Sequence, residues 1–156
     1  MQSSKGYKVE IWFRIEKDQD GYPASKESEA LLATPHENDF RIESIPIYLK
    51  NVSRGDIVRA KLAQGGEIFE FDGVAKRGGH NTYRLLLKDK AERTLEATIG
   101  ELRAKGLYVE QERGGLLAVD APPDIDQGAA DRYLTEQSDE GRWEMQDGFL
   151  FNVPTH

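Results

Sequence analysis

The sequence contains no cysteine and no long apolar run, and these absences exclude several classes of protein. Without cysteine there is no thiolate nucleophile, no disulfide and no cysteine-ligated zinc. No segment approaches the roughly 18 consecutive apolar residues that a membrane-spanning helix needs. Only three histidines are present, His36, His80 and His156, and their spacing matches no metal-binding motif. We therefore expect no metal site and no cofactor.

The size and composition predict a globular protein that folds without a covalent staple. At 156 residues the chain is long enough to bury about 70% of its unfolded surface. Hydrophobic residues make up 38% of the chain and charged residues 31%, which is typical of a polar globular protein. The first ten residues, MQSSKGYKVE, have no apolar core and do not resemble a secretory signal. These features predict a cytoplasmic protein.

Acidic residues are concentrated in the second half of the chain. The net charge is −7, with 12 basic and 13 acidic residues in 1–78 but 9 basic and 15 acidic residues in 79–156. A negative field repels nucleic acid and anionic membranes and attracts basic proteins. The charge pattern therefore predicts a protein partner with a basic surface, and it argues against nucleic acid or a membrane as the partner.

Alternating apolar residues predict a β-rich first half, residues 1–78. In 7–16 every second residue from Val9 to Ile15 is apolar, which is the period of a strand. Alternating runs follow at 29–34, 39–43, 56–62 and 67–74. Pro46 lies in an apolar segment that is either an edge strand or a crossing between strands. Turns are predicted at 64–66 and at 17–23, where Asp18 and Asp20 are interpreted as solvated charges rather than calcium ligands. Five strands without a helix predict a small barrel or curled sheet.

The pattern changes near 76–80, which is the predicted boundary with the second half, residues 79–156. Its elements follow the order strand (82–87), helix, strand (107–112), strand (116–120), helix, and two short strands flanking Asp147 and Gly148. Asp89 is the predicted N-cap of the first helix, Gly106 follows its end, and Asp124 or Asp126 caps the second helix. This order predicts an α+β protein whose second half is a ferredoxin-like split β-α-β sheet, packed with the first half as one compact unit.

Four segments carry a resemblance to a known family. They read VEIWFRIEKDQDGYP at 9–23, FRIESIPIYLKNVSRGDIV at 40–58, KRGGHNTYRLLL at 76–87 and GLLAVDAPPDID at 115–126. In this order they resemble an uncharacterised bacterial family known only as a domain of unknown function, family 4265. The resemblance extends over 9–148 and brings no established activity or catalytic residue. Small acidic bacterial proteins of unknown function are often immunity proteins, so the resemblance adds an expectation of toxin inhibition.

The first functional hypothesis is a non-enzymatic, acidic protein-binding module, an immunity- or antitoxin-like inhibitor of a bacterial toxin. The chain carries no catalytic motif that would favour an enzyme. The predicted contact residues are the carboxylates of the second helix and a tryptophan on the polar face of the first strand: Asp131, Glu136, Asp139, Glu140 and Trp12. A second interpretation stays open, in which the acids are only solvated and the second half covers Trp12.

The alternative hypothesis places an anionic small molecule, or an enzymatic reaction, in a cleft between the two halves. The segment 76–84 combines a Gly-Gly pair with four polar candidates: Arg77, His80, Thr82 and Arg84. Backbone amides at such a turn can hold an anion, and a guanidinium can bind it through two donors. The same segment also fits a structural connector with Gly79 at positive φ. A homodimer formed through the sheet is a third open alternative.

Overall fold

The computed structural model describes residues 7–17, 19, 26–63 and 65–153, and these residues form two sheets and two helices. The predicted α+β class is therefore confirmed. Most of the turn predicted at 17–23 lies outside the described residues, including Asp18 and Asp20, and so do Gln64 and His156. Within the described ranges, no helix is long and apolar enough to cross a membrane.

Five strands build the first sheet: β1 (Val9–Arg14), β2 (Ser28–His36), β3 (Asp39–Ile42), β4 (Ile57–Leu62) and β5 (Phe69–Lys76). Successive strands pair antiparallel, and a short parallel contact between β1 and β5 closes the sheet on itself. The predicted alternation of β1 is confirmed, because Ile11 and Phe13 are buried while Trp12 is exposed. The inward side chains of the five strands form the first hydrophobic core.

The segment 43–56 runs from β3 to β4 without forming a strand, so of the two alternatives for the stretch around Pro46 the crossing is the one observed. Three of its apolar side chains are buried: Ile45, Leu49 and Val52. The carboxylate of Glu29 accepts hydrogen bonds from three consecutive backbone N–H groups, at 47–49. These bonds satisfy amides that no strand partner satisfies, so this crossing segment has a defined shape.

The second sheet is antiparallel, with the order β7-β8-β6-β9. Its strands are β6 (Asn81–Leu87), β7 (Tyr108–Gln111), β8 (Leu116–Ala121) and β9 (Trp143–Leu150). The helix α1 (Glu92–Ala104) joins β6 to β7, and α2 (Gln127–Asp139) joins β8 to β9. One face of the sheet packs against both helices and forms the second core, which includes Tyr83, Leu85, Leu117, Leu134 and Trp143.

The helix ends follow from local hydrogen bonds. Asp89 lies two residues before the N-cap position rather than at it, and its carboxylate accepts hydrogen bonds from the N–H of Ala91 and the hydroxyl of Thr94. These bonds hold the pKa of Asp89 below its usual value. Gly106, with φ of 90°, follows the end of α1 as predicted. Asp126, one of the two predicted caps, accepts a hydrogen bond in the first turn of α2.

The prediction of two strands around Asp147 and Gly148 is wrong, because β9 continues through both residues. The pairing register with β6 shifts between Asn81 and Tyr83, opposite this point. A Cβ added at Gly148 would lie 3.1 Å from the Cβ of Thr82. The glycine therefore permits a close contact between strands rather than a turn.

Candidate functional site

The face of the second sheet that points away from the helices is covered by the crossing segment of the first half. Thr82 and Arg84 point to this face, because they alternate along β6 with residues of the helix-facing core. The hydroxyl of Thr82 shares a hydrogen bond with the hydroxyl of Ser53, and Arg84 Nη2 donates to the carbonyl of Leu49 at 2.9 Å. The two halves of the chain therefore meet through polar groups.

Glycine permits the close backbone approach at this junction. A Cβ added at Gly78 would overlap the carbonyl group of Gly55, and a Cβ at Gly55 would lie 2.7 Å from Cδ2 of His80. Gly79 adopts φ of 91°, a conformation that favours glycine. The Gly-Gly pair at 78–79 is thus explained by the connector itself, as the structural interpretation predicts.

Asp56 ties the connector to the turn at 53–56. It is 1% exposed, and its carboxylate accepts hydrogen bonds from the N–H of Ser53, the N–H of Gly78 and the guanidinium of Arg77 at 2.8–3.0 Å. The Arg77 guanidinium also lies 3.9 Å from the ring centroid of Phe149. Arg77, one of the predicted ligand-binding residues, therefore contributes to holding the halves together.

Asp120 is fully buried and holds two basic side chains next to each other. Nδ1 of His80 lies 2.9 Å from one carboxylate oxygen, and Nη1 of Arg54 donates to the other at 3.2 Å. The guanidinium of Arg54 also stacks on Tyr108, 4.0 Å from the ring centroid. A buried carboxylate cannot bind water, so it needs such partners. Its contacts also fix the orientation of both basic groups.

Two adjoining cavities open beside this cluster, with volumes of about 480 and 510 Å³. Both are lined by Arg54 and Tyr108, and together they are termed the junction groove. The other charged or titratable side chains that line it are Arg41, Glu43, His80, Arg103, Glu110 and Asp124. Basic and acidic groups are therefore mixed along the groove.

Glu110 lies at the β7 side of the junction groove. Partial removal of water raises the pKa of this carboxyl above its usual value, and the N–H of Ile45 and the charge of Arg54 oppose the rise. The N–H of Ile45 reaches Oε2 of Glu110 only at 3.4 Å. Glu110 thus takes up a proton more readily than an ordinary surface glutamate does.

A second titratable cluster lies on the helix-facing side of the sheet. The hydroxyl of Tyr83 donates to Asp131 at 2.8 Å, and burial, reinforced by this carboxylate, raises the pKa of Tyr83 far above its usual value. Loss of water and the charge of Asp131 also raise the pKa of Asp147. The bond between Tyr83 and Asp131 stabilises the contact of α2 with the sheet, and none of these groups lines the junction groove.

The predicted partner-binding residues do not form one surface. Asp131 is 5% exposed, so including it among the accessible acids of α2 was wrong. Glu136, Asp139 and Glu140 are exposed at the carboxyl end of α2. Trp12 is 39% exposed and lies on β1 of the first sheet, whereas α2 packs against the second sheet. The tryptophan and the acids therefore lie on different sheets of the protein.

Of the four predicted ligand-binding residues, His80 alone lines the junction groove. Thr82 is fully buried and Arg84 is 3% exposed, so neither lines the junction groove, and their contact with a ligand stays a prediction. Both side chains instead bond to the crossing segment. Arg77, Thr82 and Arg84 therefore hold the junction together rather than line its groove.

Sequence reasoning missed Arg54, Tyr108 and Asp120. One signal was available for Asp120, because a charged residue that ends the apolar run LLAVD is expected to need a partner when the strand is buried. No local pattern indicates Arg54 or Tyr108. Within the described part of the chain, no group of three or more histidine, aspartate and glutamate side chains is arranged to hold a metal ion.

Comparisons with known proteins support the fold and the family. The crystal structure of a hypothetical protein from Neisseria gonorrhoeae is similar, with a TM-score of 0.70 and 19% sequence identity, over 92% of this chain and 95% of that one. At this identity the likeness concerns the fold alone. No curated protein gives a significant match. The family model described as "Domain of unknown function (DUF4265)" matches residues 29–145, and the chain therefore belongs to the DUF4265 family, as the resemblance predicted.

Proposed function

We propose that this protein is a non-enzymatic protein-binding module, an immunity- or antitoxin-like inhibitor that meets a basic toxin surface. The supporting observation is the exposed carboxyl end of α2, which presents Glu136, Asp139 and Glu140. None of these three acids forms a salt bridge with another described residue, and the last turn of α2 contains no basic residue.

The position of these acids is unfavourable for the helix itself. The carboxyl end of a helix carries a partial negative charge, so each carboxylate there reduces helix stability by about 0.3–1 kcal/mol. The same uncompensated charges create a local field that speeds encounter with a basic protein and weakens as salt is added. A partner-binding role accounts for a cluster that packing in the described structure does not require.

A matched pair of triple variants tests this proposal. Glu136→Gln, Asp139→Asn and Glu140→Gln neutralise the end of α2, and Glu10→Gln, Glu67→Gln and Glu70→Gln remove the same charge from exposed acids of the first half. We expect the wild-type protein to capture one stoichiometric basic protein from its host lysate, released at moderate salt. The α2 variant should associate about tenfold more slowly with that partner and the control nearly normally. Equal rates for the two variants would contradict the proposal.

The junction groove supports a second candidate function, the binding of an anionic small molecule beside His80. The observation that favours it is the buried carboxylate of Asp120, which holds His80 and Arg54 at the groove. A thermal-shift screen with nucleotides, phosphorylated metabolites and carboxylates tests this function. A rise in melting temperature with one class supports it, whereas no shift with any class argues against it.

We also propose that 1–78 is a small barrel and 79–156 a ferredoxin-like split β-α-β subdomain, packed as one compact unit. The closure of β1 onto β5, the order β7-β8-β6-β9 and the bonds that Ser53 and Arg54 make to the second half support this description. The cytoplasmic location stays a prediction. Light scattering of the purified protein tests the homodimer alternative.

A further inference from the structure

We propose that Arg54 anchors a carboxylate-binding site in the junction groove, for a ligand that carries one carboxylate on a small apolar body. This inference rests on the second function proposed above. It adds the anchoring residue and the chemical class of the ligand. Arg54 belonged to neither set of residues predicted from the sequence.

Arg54 is held in place before any ligand arrives. Its Nη1 donates to the buried Asp120 at 3.2 Å, and its guanidinium plane stacks on Tyr108 at 4.0 Å from the ring centroid. Its side chain nevertheless stays 25% exposed at the groove. A guanidinium whose orientation is already fixed loses little conformational entropy when it binds a ligand.

Donors of Arg54 remain available for a ligand. Among the residues that the structure describes, Nη1 is the one guanidinium nitrogen of Arg54 that donates to a protein acceptor. A guanidinium carries five N–H donors, and an edge with two parallel donors matches the two oxygens of a carboxylate. The remaining donors of Arg54 therefore suit a planar, two-oxygen group.

The charges around Arg54 favour one carboxylate over a densely charged ligand. Arg41 and Arg103 add positive charge to the groove, but three carboxylates also line it: Glu43, Asp124 and Glu110. A phosphate dianion or a nucleic-acid backbone would meet this negative charge and gain little from the balanced field. A ligand with a single negative charge, bound by one guanidinium, meets less of this repulsion.

The walls of the groove indicate the rest of the ligand. The cavity on the β7 side of Arg54 is lined by Ile45, by Tyr108, and by Leu107 and Val109, whose own side chains belong to the second core. Small-ligand sites combine apolar walls with a few polar groups that fix orientation. A carboxylate on Arg54 would place a short aliphatic or aromatic body against these walls.

The test is an NMR titration of the full chain with benzoate, with benzamide as the uncharged analogue and with inorganic phosphate. We expect benzoate to shift the amide signals of Gly55, Gly78 and Tyr108, with benzamide and phosphate binding at least about tenfold more weakly. Arg54→Lys keeps the charge beside Asp120 but loses the two-donor edge, and it should weaken benzoate binding about tenfold. Arg113→Lys, an exposed arginine outside the groove, is the matched control and should bind as wild type does.

The outcomes separate this inference from the function on which it rests. If nucleotides or phosphate shift the groove signals and benzoate does not, the carboxylate assignment is wrong while ligand binding in the groove stands. If no compound in the titration or the thermal-shift screen shifts these signals, the second function itself is contradicted. Benzoate binding that is unchanged in Arg54→Lys removes Arg54 as the anchor. Tyr108→Leu removes only the stacking partner of Arg54, and it serves as a second test if Arg54→Lys folds poorly. Unchanged benzoate binding in Tyr108→Leu would contradict the anchoring geometry.

Discussion

The two faces of the second sheet make different kinds of contact with the rest of the protein. The helix-facing side is an apolar core that contains Tyr83, Leu85 and Leu117. The opposite side meets the first half through hydrogen bonds of Thr82 and Arg84 and ends at the junction groove. The difference indicates that the helix face supplies most of the stability, whereas the polar face sets how the halves dock.

The central strand β6 shows the contrast most clearly. Its residues 81–85 are all 3% exposed or less, although the polar Thr82 and Arg84 alternate there with the apolar-faced Tyr83 and Leu85. In an antiparallel sheet such alternation usually separates a core face from a solvent face. Here the polar face is buried too, because the crossing segment supplies hydrogen-bond partners for it.

The largest expected effect comes from the helix face. Leu85→Ala should lower the free energy of unfolding by about 3 kcal/mol, because it leaves a cavity in a fully buried core. Leu86→Ala, the next residue on the opposite face, is only partly buried and should cost about 1 kcal/mol. Urea denaturation measures both values. If Leu86→Ala lowers the free energy of unfolding as much as Leu85→Ala or more, the helix face does not supply most of the stability.

The second-largest loss of stability is expected at the polar junction between the two halves. Asp56→Ala should lower the free energy of unfolding by about 2–3 kcal/mol, because the buried N–H groups of Ser53 and Gly78 lose their acceptor. Asp72→Ala, which removes an exposed acid from β5, should change it by less than about 0.5 kcal/mol. If chemical denaturation gives similar values for the two variants, Asp56 does not organise the junction.

A smaller effect is expected at the groove. Asp120→Asn keeps the shape of the side chain but removes the charge between His80 and Arg54, and it should cost about 1–2 kcal/mol of stability. It should also weaken benzoate binding, because Arg54 loses its fixed orientation. Asp72→Asn, which neutralises an exposed carboxylate of β5 outside the groove, is the control. Unchanged stability and binding in Asp120→Asn would show that the buried carboxylate does not position Arg54.

The smallest expected effect is a pH dependence from Asp147. Its pKa is raised in the folded state, so the folded protein binds its proton more tightly than the unfolded chain does. Its contribution to stability is therefore greatest below its ordinary pKa of 3.8 and is lost as pH rises through the higher folded-state pKa. Asp147→Asn should remove this loss and raise stability at neutral pH by less than about 1 kcal/mol, since water screens the partly exposed side chain. Denaturation at pH 4 and pH 7 measures the change, and a variant with the wild-type pH slope would contradict it.

Local features of the fold were predictable, and the groove was not. The period of β1, the glycine after α1 and the cap at Asp126 depend on neighbours within a few residues, and the structure confirms them. Arg54 and Asp120 are 66 residues apart, and their contact exists only because the two sheets dock. Thr82 and Arg84 likewise share one face of β6, and nothing in the local sequence indicates what covers that face.

The central claim is that the polar face joins the two halves into one cooperative unit, and the two tryptophans allow a direct test. Trp12 lies in the first sheet and Trp143 in the second core, so 5-fluorotryptophan labelling places one ¹⁹F signal in each half. Both native signals, assigned with Trp12→Phe, should disappear at the same urea concentration. If the native signal of Trp143 persists after that of Trp12 is lost, the halves unfold separately and the claim is wrong.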